Sequence, residues 1–246
     1  MRYQEYTIEG RNAVIEAYRA GRPIDKLYIL DGCQDGPVMT IKREAKKNGT
    51  PIKFVEQKLL NQMSETGKHQ GVIAYAAAYE YAEVEDILKA AAEKGEQPFL
   101  ILLDKIMDPH NLGAIIRTAD LAGAHGVIVP KDRAAGLTAT VAKTSAGALN
   151  YIPVARVTNL SRTMENLKKE GIWFVCADME GTSMYQLDLK GPIGLVIGNE
   201  GEGVSKLVRE SCDMMAAIPM RGHIDSLNAS VAAGVLAYEI VRQRLM

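Results

Sequence analysis

From Pro98 to the C-terminus, short apolar runs recur with more polar stretches between them: FLILL (99–103), GVIVP (126–130), YIPVARV (151–157), IWFVCA (172–177), IGLVIG (193–198) and MMAAIP (214–219). Strands that are apolar throughout, rather than at alternate positions, are covered on both faces, and strands separated by helices run parallel. The pattern therefore predicts an α/β fold with a parallel sheet flanked by helices. The first 80 residues repeat the alternation on a smaller scale. An apolar stripe at Val14, Ala17 and Tyr18 predicts a helix that stops at Gly21, ahead of Pro23. KLYIL (26–30) and IKFVE (52–56) read as strands on either side of a helix over 37–48, which opens on Pro37 and ends before Gly49. A polar loop, SETGKHQ (64–70), then leads to a strand at 71–78.

Between these regions, YEYAEVEDILKAAAEKGEQ (79–97) is acidic and helix-favouring, and it closes on Lys94-Gly95 just before Pro98. A chain of 246 residues is long for one compact unit. The expected division is a small α/β domain over 1–80, a linker over 81–97 carrying one amphipathic helix, and a larger domain over 98–246.

Composition narrows the classes. Hydrophobic residues make up 47% and charged residues 24%, which excludes a disordered chain, and no apolar run approaches the ~20 residues of a membrane span. The first residues, MRYQEYTIEG, lack the apolar core of a secretory signal, so a cytoplasmic protein is expected. Net charge is +2 over 1–80, −3 over 81–96 and zero over 97–246. A nucleic acid would therefore be held by local patches rather than a global field. The cysteines at 33, 176 and 212 are too dispersed for a disulfide framework or a zinc site, and the histidines at 69, 110, 125 and 223 lack metal-ligand spacing, so no metal is expected.

Ligands of α/β sheets sit beyond the carboxyl ends of the strands, and three strand-to-helix loops there are unusually polar. The first, Asp104 through Ala119, places Asn111 at a helix start and Arg117 six residues later among Ile115, Ile116 and Ala119. The second, Gly198-Asn199-Glu200-Gly201-Glu202-Gly203, has three glycines in six residues, a composition that permits tight backbone and close approach to a ligand. It lacks the lysine of a P-loop and is not the G-x-G-x-x-G of dinucleotide folds, which disfavours a nucleotide-dependent dehydrogenase. The third, Ile218-Pro219-Met220 on to Ser226-Leu227-Asn228, runs into the last helix; Ser226 or Asn228 suits a helix cap, but a cap needs only one of them.

N-L-G-A-I-I-R-T-A, V-I-G-N-E-G-E-G-V and I-P-M…S-L-N-A-S-V-A, in this order at these strand ends, closely resemble the three motifs of the SpoU/TrmH RNA methyltransferases over residues 98–246. Ile8-Glu9-Gly10-Arg11-Asn12-Ala13-Val14 and Lys68-His69-Gln70-Gly71-Val72 resemble the substrate-binding domain of one branch, which acts on a guanosine ribose of large-subunit (23S) ribosomal RNA. The resemblance implies a trefoil-knotted catalytic domain, a homodimer with the active site at its interface, S-adenosyl-L-methionine as methyl donor, and transfer to a ribose 2′-hydroxyl of ribosomal RNA. A tRNA ribose is the alternative substrate, and a non-catalytic RNA-binding protein on the same fold the alternative class. By the same resemblance, Arg117 activates the hydroxyl, with Asn111, Glu200, Ser226 and Asn228 orienting it and the substrate. Gly198, Ile218 and Leu227, with Gly203 and Met220 nearby, hold the cofactor. Arg11 and Asn12, at a predicted helix start, are candidates for RNA contact, capping or a salt bridge; Lys42, Arg43, Lys46 and Lys47 share adjoining rows of one helix and read as a solvated basic face.

Overall fold

The computed structural model describes residues 6–76, 79–224 and 226–246. Its contacts group into two units, one running to Glu80 and taking in Gly136–Ala139, the other comprising Tyr81–Ala135 and Thr140–Met246.

In the first unit, β1 (Tyr6–Glu9), β2 (Ile24–Leu30), β3 (Ile52–Val55) and β4 (Val72–Ala76) form a sheet in the order β1-β4-β2-β3. β2 and β3 run parallel, and β4 is antiparallel to β1 and β2. Helices α1 (Arg11–Arg19) and α2 (Gly36–Asn48) present Val14, Ala17, Val38 and Ile41 to Leu27 and Ile29 of β2. α2 begins where the Asp35 side chain accepts the Val38 N–H at 3.2 Å, with Pro37 in its first turn. The pattern missed β1, four residues long, and α3 (Gln57–Met63), which buries only Leu60 and so shows no apolar period. Residues 77 and 78 of the expected fourth strand lie outside the described residues.

In the second unit, β5 (Phe99–Leu103), β6 (Gly126–Pro130), β7 (Val154–Val157), β8 (Trp173–Ser183), β9 (Ile193–Ile197) and β10 (Met214–Ala217) lie in the order β10-β8-β9-β5-β6-β7. Every pairing is parallel. β5 and β9 are buried along their whole length, as continuous apolarity requires. The helices are α4 (Val84–Lys94), α5 (Pro109–Leu121), α6 (Ala139–Thr144), α7 (Leu160–Lys169), α8 (Lys206–Glu210) and α9 (Ala229–Arg244). α4, the expected linker helix, sends Ile87 into this unit's core.

Two strands depart from expectation. β7 starts at Val154 because Pro153 has no N–H to give; its carbonyl accepts the Val127 N–H at 3.0 Å. β8 continues to Ser183, well past the apolar run. β10 follows it across a register shift, Met215 opposite Cys176 and Ala216 opposite Thr182. α9 packs on α5 and buries Ala233, Leu236, Ala237 and Ile240. Removing Leu236 and Ile240 fully from water contributes about 2 kcal/mol each to holding it there. Among the described residues, no helix is long and apolar enough to cross a membrane.

Candidate active site

Six parallel strands bring their carboxyl ends to one edge of the sheet, and the three polar loops all leave from that edge. After β5, Asp108 accepts the His110 N–H at 2.9 Å and Pro109 opens α5, which puts Asn111 in the first turn, 7% exposed. Gly113, one turn from the helix start, lies against α6: a Cβ there would fall within the Thr144 side chain.

After β9 the chain folds back on itself. The Asn199 side-chain oxygen accepts the N–H groups of Gly201 at 2.8 Å and Glu202 at 3.3 Å, and the Asn199 carbonyl accepts the Gly203 N–H at 2.8 Å. This turn brings the Gly203–Val204 backbone against Gly198 so closely that a Cβ at 198 would overlap it. The glycine is required by the loop's own closure, a stronger constraint than the ligand approach anticipated from the sequence. After β10, Asn228 caps α9 by accepting the Ser230 N–H at 2.9 Å and its hydroxyl at 2.6 Å.

Asn228 does more than cap. Its Nδ2 donates to Asn111 Oδ1 at 2.9 Å and to Glu200 Oε1 at 3.2 Å. Asn111 Nδ2 donates to the same Glu200 oxygen. Residues from all three loops thus close one ring of hydrogen bonds, with a carboxylate as the shared acceptor. Charged acceptors make hydrogen bonds about twice as strong as neutral ones, so Glu200 draws both amides together. Two further contacts fasten the first loop to the second. The buried Asp104 accepts the Ser205 N–H at 2.7 Å, and Lys105 pairs with Glu202 at 2.6 Å. The hydrogen bond and charge of Lys105 hold the Glu202 carboxyl below the usual carboxylate range.

The other expected site residues stand apart from this ring. Arg117 is exposed and has no hydrogen-bond or ion-pair partner among the described residues. Six residues along a helix turn a side chain through about 600°, so Arg117 points roughly 120° away from Asn111. Ser226 is exposed, likewise without a partner among the described residues. Gly198 follows β9, Ile218 and Met220 follow β10, and Leu227 precedes α9; Ile218 and Leu227 are half-buried and Met220 is 40% exposed. Gly203 sits within the turn at φ +67°.

In the first unit, Arg11 makes the salt bridge that was one of its alternatives, 2.8 Å to Asp35, and donates from Nε to the Gln70 carbonyl at 3.0 Å. Neither Arg11 nor Asn12 caps α1, whose cap position is Gly10; Asn12 is exposed. Of the basic group on α2, Lys42 is engaged with the Cys33 carbonyl at 3.1 Å and the Phe54 ring, while Arg43, Lys46 and Lys47 are exposed. Sequence reasoning passed over Asn199, Asp104 and Lys105. An Asn beside glycines and an Asp ending an apolar strand were the available signals.

Two family models match the chain: the SpoU rRNA Methylase family over residues 98–238, and the RNA 2′-O ribose methyltransferase substrate-binding domain over residues 7–82. YacO of Bacillus subtilis (strain 168), assigned to the TrmH family of tRNA/rRNA methyltransferases, is 51% identical over 245 residues, covering 99% of this chain and 98% of that one. The 23S rRNA (guanosine-2′-O-)-methyltransferase RlmB of Shewanella oneidensis is 44% identical over 222 residues, 90% of each chain. Among solved structures, the SpoU methyltransferase AviRb of Streptomyces viridochromogenes, crystallised with the cofactor AdoMet, superposes with a TM-score of 0.62 at 28% identity, covering 98% of this chain and 91% of that one.

Proposed function

The chain belongs to the SpoU rRNA methylase family, and we propose that it transfers a methyl group from S-adenosylmethionine to the 2′-hydroxyl of a guanosine in 23S ribosomal RNA. The observation that carries the reading is the ring of Asn111, Glu200 and Asn228, which gathers polar groups from all three family motifs onto one point at the ligand-binding edge of the sheet. A merely structural role would be filled by the Asn228 cap alone.

The donor set suits the methyl donor. The positions assigned to it offer backbone groups of the Gly198–Gly203 turn and the half-buried apolar side chains of Ile218 and Leu227, a fit for a flat adenosine rather than for a polyphosphate. When bound, S-adenosylmethionine supplies an electrophilic sulfonium methyl. The chain's own contribution is to align the ribose and make its oxygen more nucleophilic. Arg117 suits this chemistry because a guanidinium offers only hydrogen-bond donors and a positive charge, which stabilise a developing alkoxide, and has no lone pair to act as an acceptor. The Asn111–Glu200–Asn228 ring, together with Ser226, orients the substrate. Arg11 and Asn12 of the first unit contact the RNA, which assigns recognition to the first domain and chemistry to the second.

A homodimer belongs to the same reading. Val231 and Tyr238 of α9 and Leu245, which caps its C-terminus, recur every seven residues and are 49%, 51% and 83% exposed; on the neighbouring α5, Leu121 is 64% exposed, one turn from Arg117. A helix that buries one apolar face and exposes another has a second surface to cover. A second copy meeting α5 and α9 covers it and places Arg117 at the interface. The knotted threading of the C-terminal segment is part of the proposal, carried by the family resemblance.

The test is ribose-methylation mapping of ribosomal RNA and tRNA from cells with and without the gene, paired with transfer of labelled methyl groups by the purified protein to an unmodified 23S fragment. Loss of one 2′-O-methylguanosine in 23S RNA, restored in vitro, is the expected result. Loss confined to a tRNA would redirect the substrate, and an unchanged methylation map would defeat the proposal.

A further inference from the structure

The first unit holds an open pocket of about 680 Å³ whose chemistry goes beyond the basic residues named so far. One wall is apolar, from Leu30 and Pro37. The lining also includes a small amide network centred on His69, which is buried at 4% exposure. The Gly71 N–H donates to His69 Nδ1 at 3.0 Å, so in the neutral ring the proton sits on Nε2. That Nε2 lies 2.9 Å from Asn61 Oδ1 and donates to it. Gln57 Nε2 donates to the same oxygen at 3.1 Å. Two donors on Oδ1 settle both amide orientations. They leave the Asn61 NH2 as a spare donor and the Gln57 carbonyl as a spare acceptor, neither partnered among the described residues.

Two observations say what such a pocket receives. Arg11, the cation lining it among the described residues, is already neutralised by Asp35 at 2.8 Å, so the site is not built for an anion. What remains is an adjacent neutral donor and acceptor beside an apolar wall, in a volume typical of small-ligand sites; a nucleobase has that shape and that hydrogen-bonding edge. The rim is also preformed. Gln70 is held at φ 50°, a conformation non-glycine residues rarely adopt, and is clamped by Arg11: its carbonyl accepts Arg11 Nε at 3.0 Å and its side-chain oxygen accepts the Arg11 N–H at 3.3 Å. Strained residues of this kind persist where the surroundings over-determine them, and they cluster at ligand sites.

We propose that this pocket takes up a single unstacked nucleobase of the RNA, read by Asn61 and Gln57 and positioned through His69. The inference rests on the methyltransferase reading for the identity of the RNA, but its test does not depend on turnover. Full-length protein is titrated by fluorescence anisotropy into a labelled, unmodified 23S RNA fragment and into a series of the same fragment carrying one abasic nucleotide each. Asn61→Ala and Gln57→Ala are compared with the unaltered protein in parallel. Both variants should weaken binding of the intact fragment at least about tenfold, the scale of a lost bidentate base contact. One abasic position should weaken binding of the unaltered protein by the same factor and add nothing further in Asn61→Ala. An abasic nucleotide keeps its phosphate, so a pocket that holds phosphate would bind the whole abasic series normally, which would overturn the proposal. Additive losses at every abasic position would overturn it too. Gln57 is exposed at the start of α3, and its loss leaves the hydrogen bond between His69 and Asn61 in place, so its variant reports even if Asn61→Ala melts early. The expected binding pattern without methyl transfer would sink the enzymatic reading and keep the pocket; transfer with insensitive variants would do the reverse.

Discussion

Asn228 both caps α9 and joins the hydrogen-bond ring, and the two roles separate by substitution. Asn228→Ala removes the cap, worth about 1 kcal/mol. It also strips the donor from Oδ1 of the buried Asn111, a further loss of about 1–3 kcal/mol. Destabilisation of about 2–4 kcal/mol is therefore expected at any pH. Asn228→Asp keeps the oxygen that accepts from Ser230 and so keeps the cap. Its second oxygen falls where Nδ2 lay 3.2 Å from Glu200. Two carboxylates at that distance repel by about 1.3 kcal/mol in water-like surroundings and by more where water is thinned. The repulsion raises the pair's pKa in the folded protein. Its penalty is therefore absent below the unfolded carboxyl pKa of about 4 and sets in as pH rises through the pair's folded values. Urea denaturation at pH 4.5 and pH 8 should show Asn228→Asp closer to the parent protein at the lower pH, with Asn228→Ala equally impaired at both. Methyl transfer should be lost in both variants. An aspartate variant equally stable at the two pH values would refute a contact between position 228 and Glu200, and with it the ring.

Arg117→Ala should abolish methyl transfer and shift stability by no more than about 0.5 kcal/mol, since the side chain is exposed and unpartnered among the described residues; Arg117→Lys should restore little, lacking the planar fork, and near-normal turnover in either would remove Arg117 from the mechanism. Gly198→Ala should weaken S-adenosylmethionine at least about tenfold, because the Gly203–Val204 backbone must move away from the new Cβ; calorimetry giving an unaltered Kd in a folded protein would detach this turn from the cofactor. In the first unit, burial pushes the Glu9 carboxyl up, but hydrogen bonds from Ser64, Thr66 and the Glu65 and Thr66 N–H groups outweigh it and hold the pKa at about 2. Glu9 therefore adds stability above its ordinary pKa of about 4.5 that is lost as pH falls toward 2, and Glu9→Gln should flatten the melting temperature over that window.

β5, β6 and β9 of the second unit were legible because a strand buried on both faces is written as an unbroken apolar run; β5 and β6 coincide with theirs and β9 stops one residue short of Gly198. The first unit's α1 and α2 showed their 3.6-residue stripe for the same reason, burial on one face. α3 and the second half of β8 were not legible: one buries a single leucine, and the other is held by pairing to β10 across a register shift, which leaves no period in its side chains. The strand order, with β9 between β8 and β5, is likewise unwritten in local pattern, because it depends on which edges meet.

The site divides along the same line. Unpaired polar residues at strand ends, and the resemblance they carry, nominated Asn111, Glu200 and Asn228 from sequence alone, since polar side chains in an apolar α/β frame need a reason. Only the tertiary structure joined them, because Asn111 and Asn228 lie 117 positions apart and meet through parallel strands that deliver their loops to one edge. The turn of Arg117 away from Asn111 follows from their six-residue spacing on one helix and was already contained in the sequence. Tertiary structure alone showed that Gly198 makes room for its own loop, because that depends on where the Gly203–Val204 backbone runs, which a linear pattern of polar and apolar residues does not record.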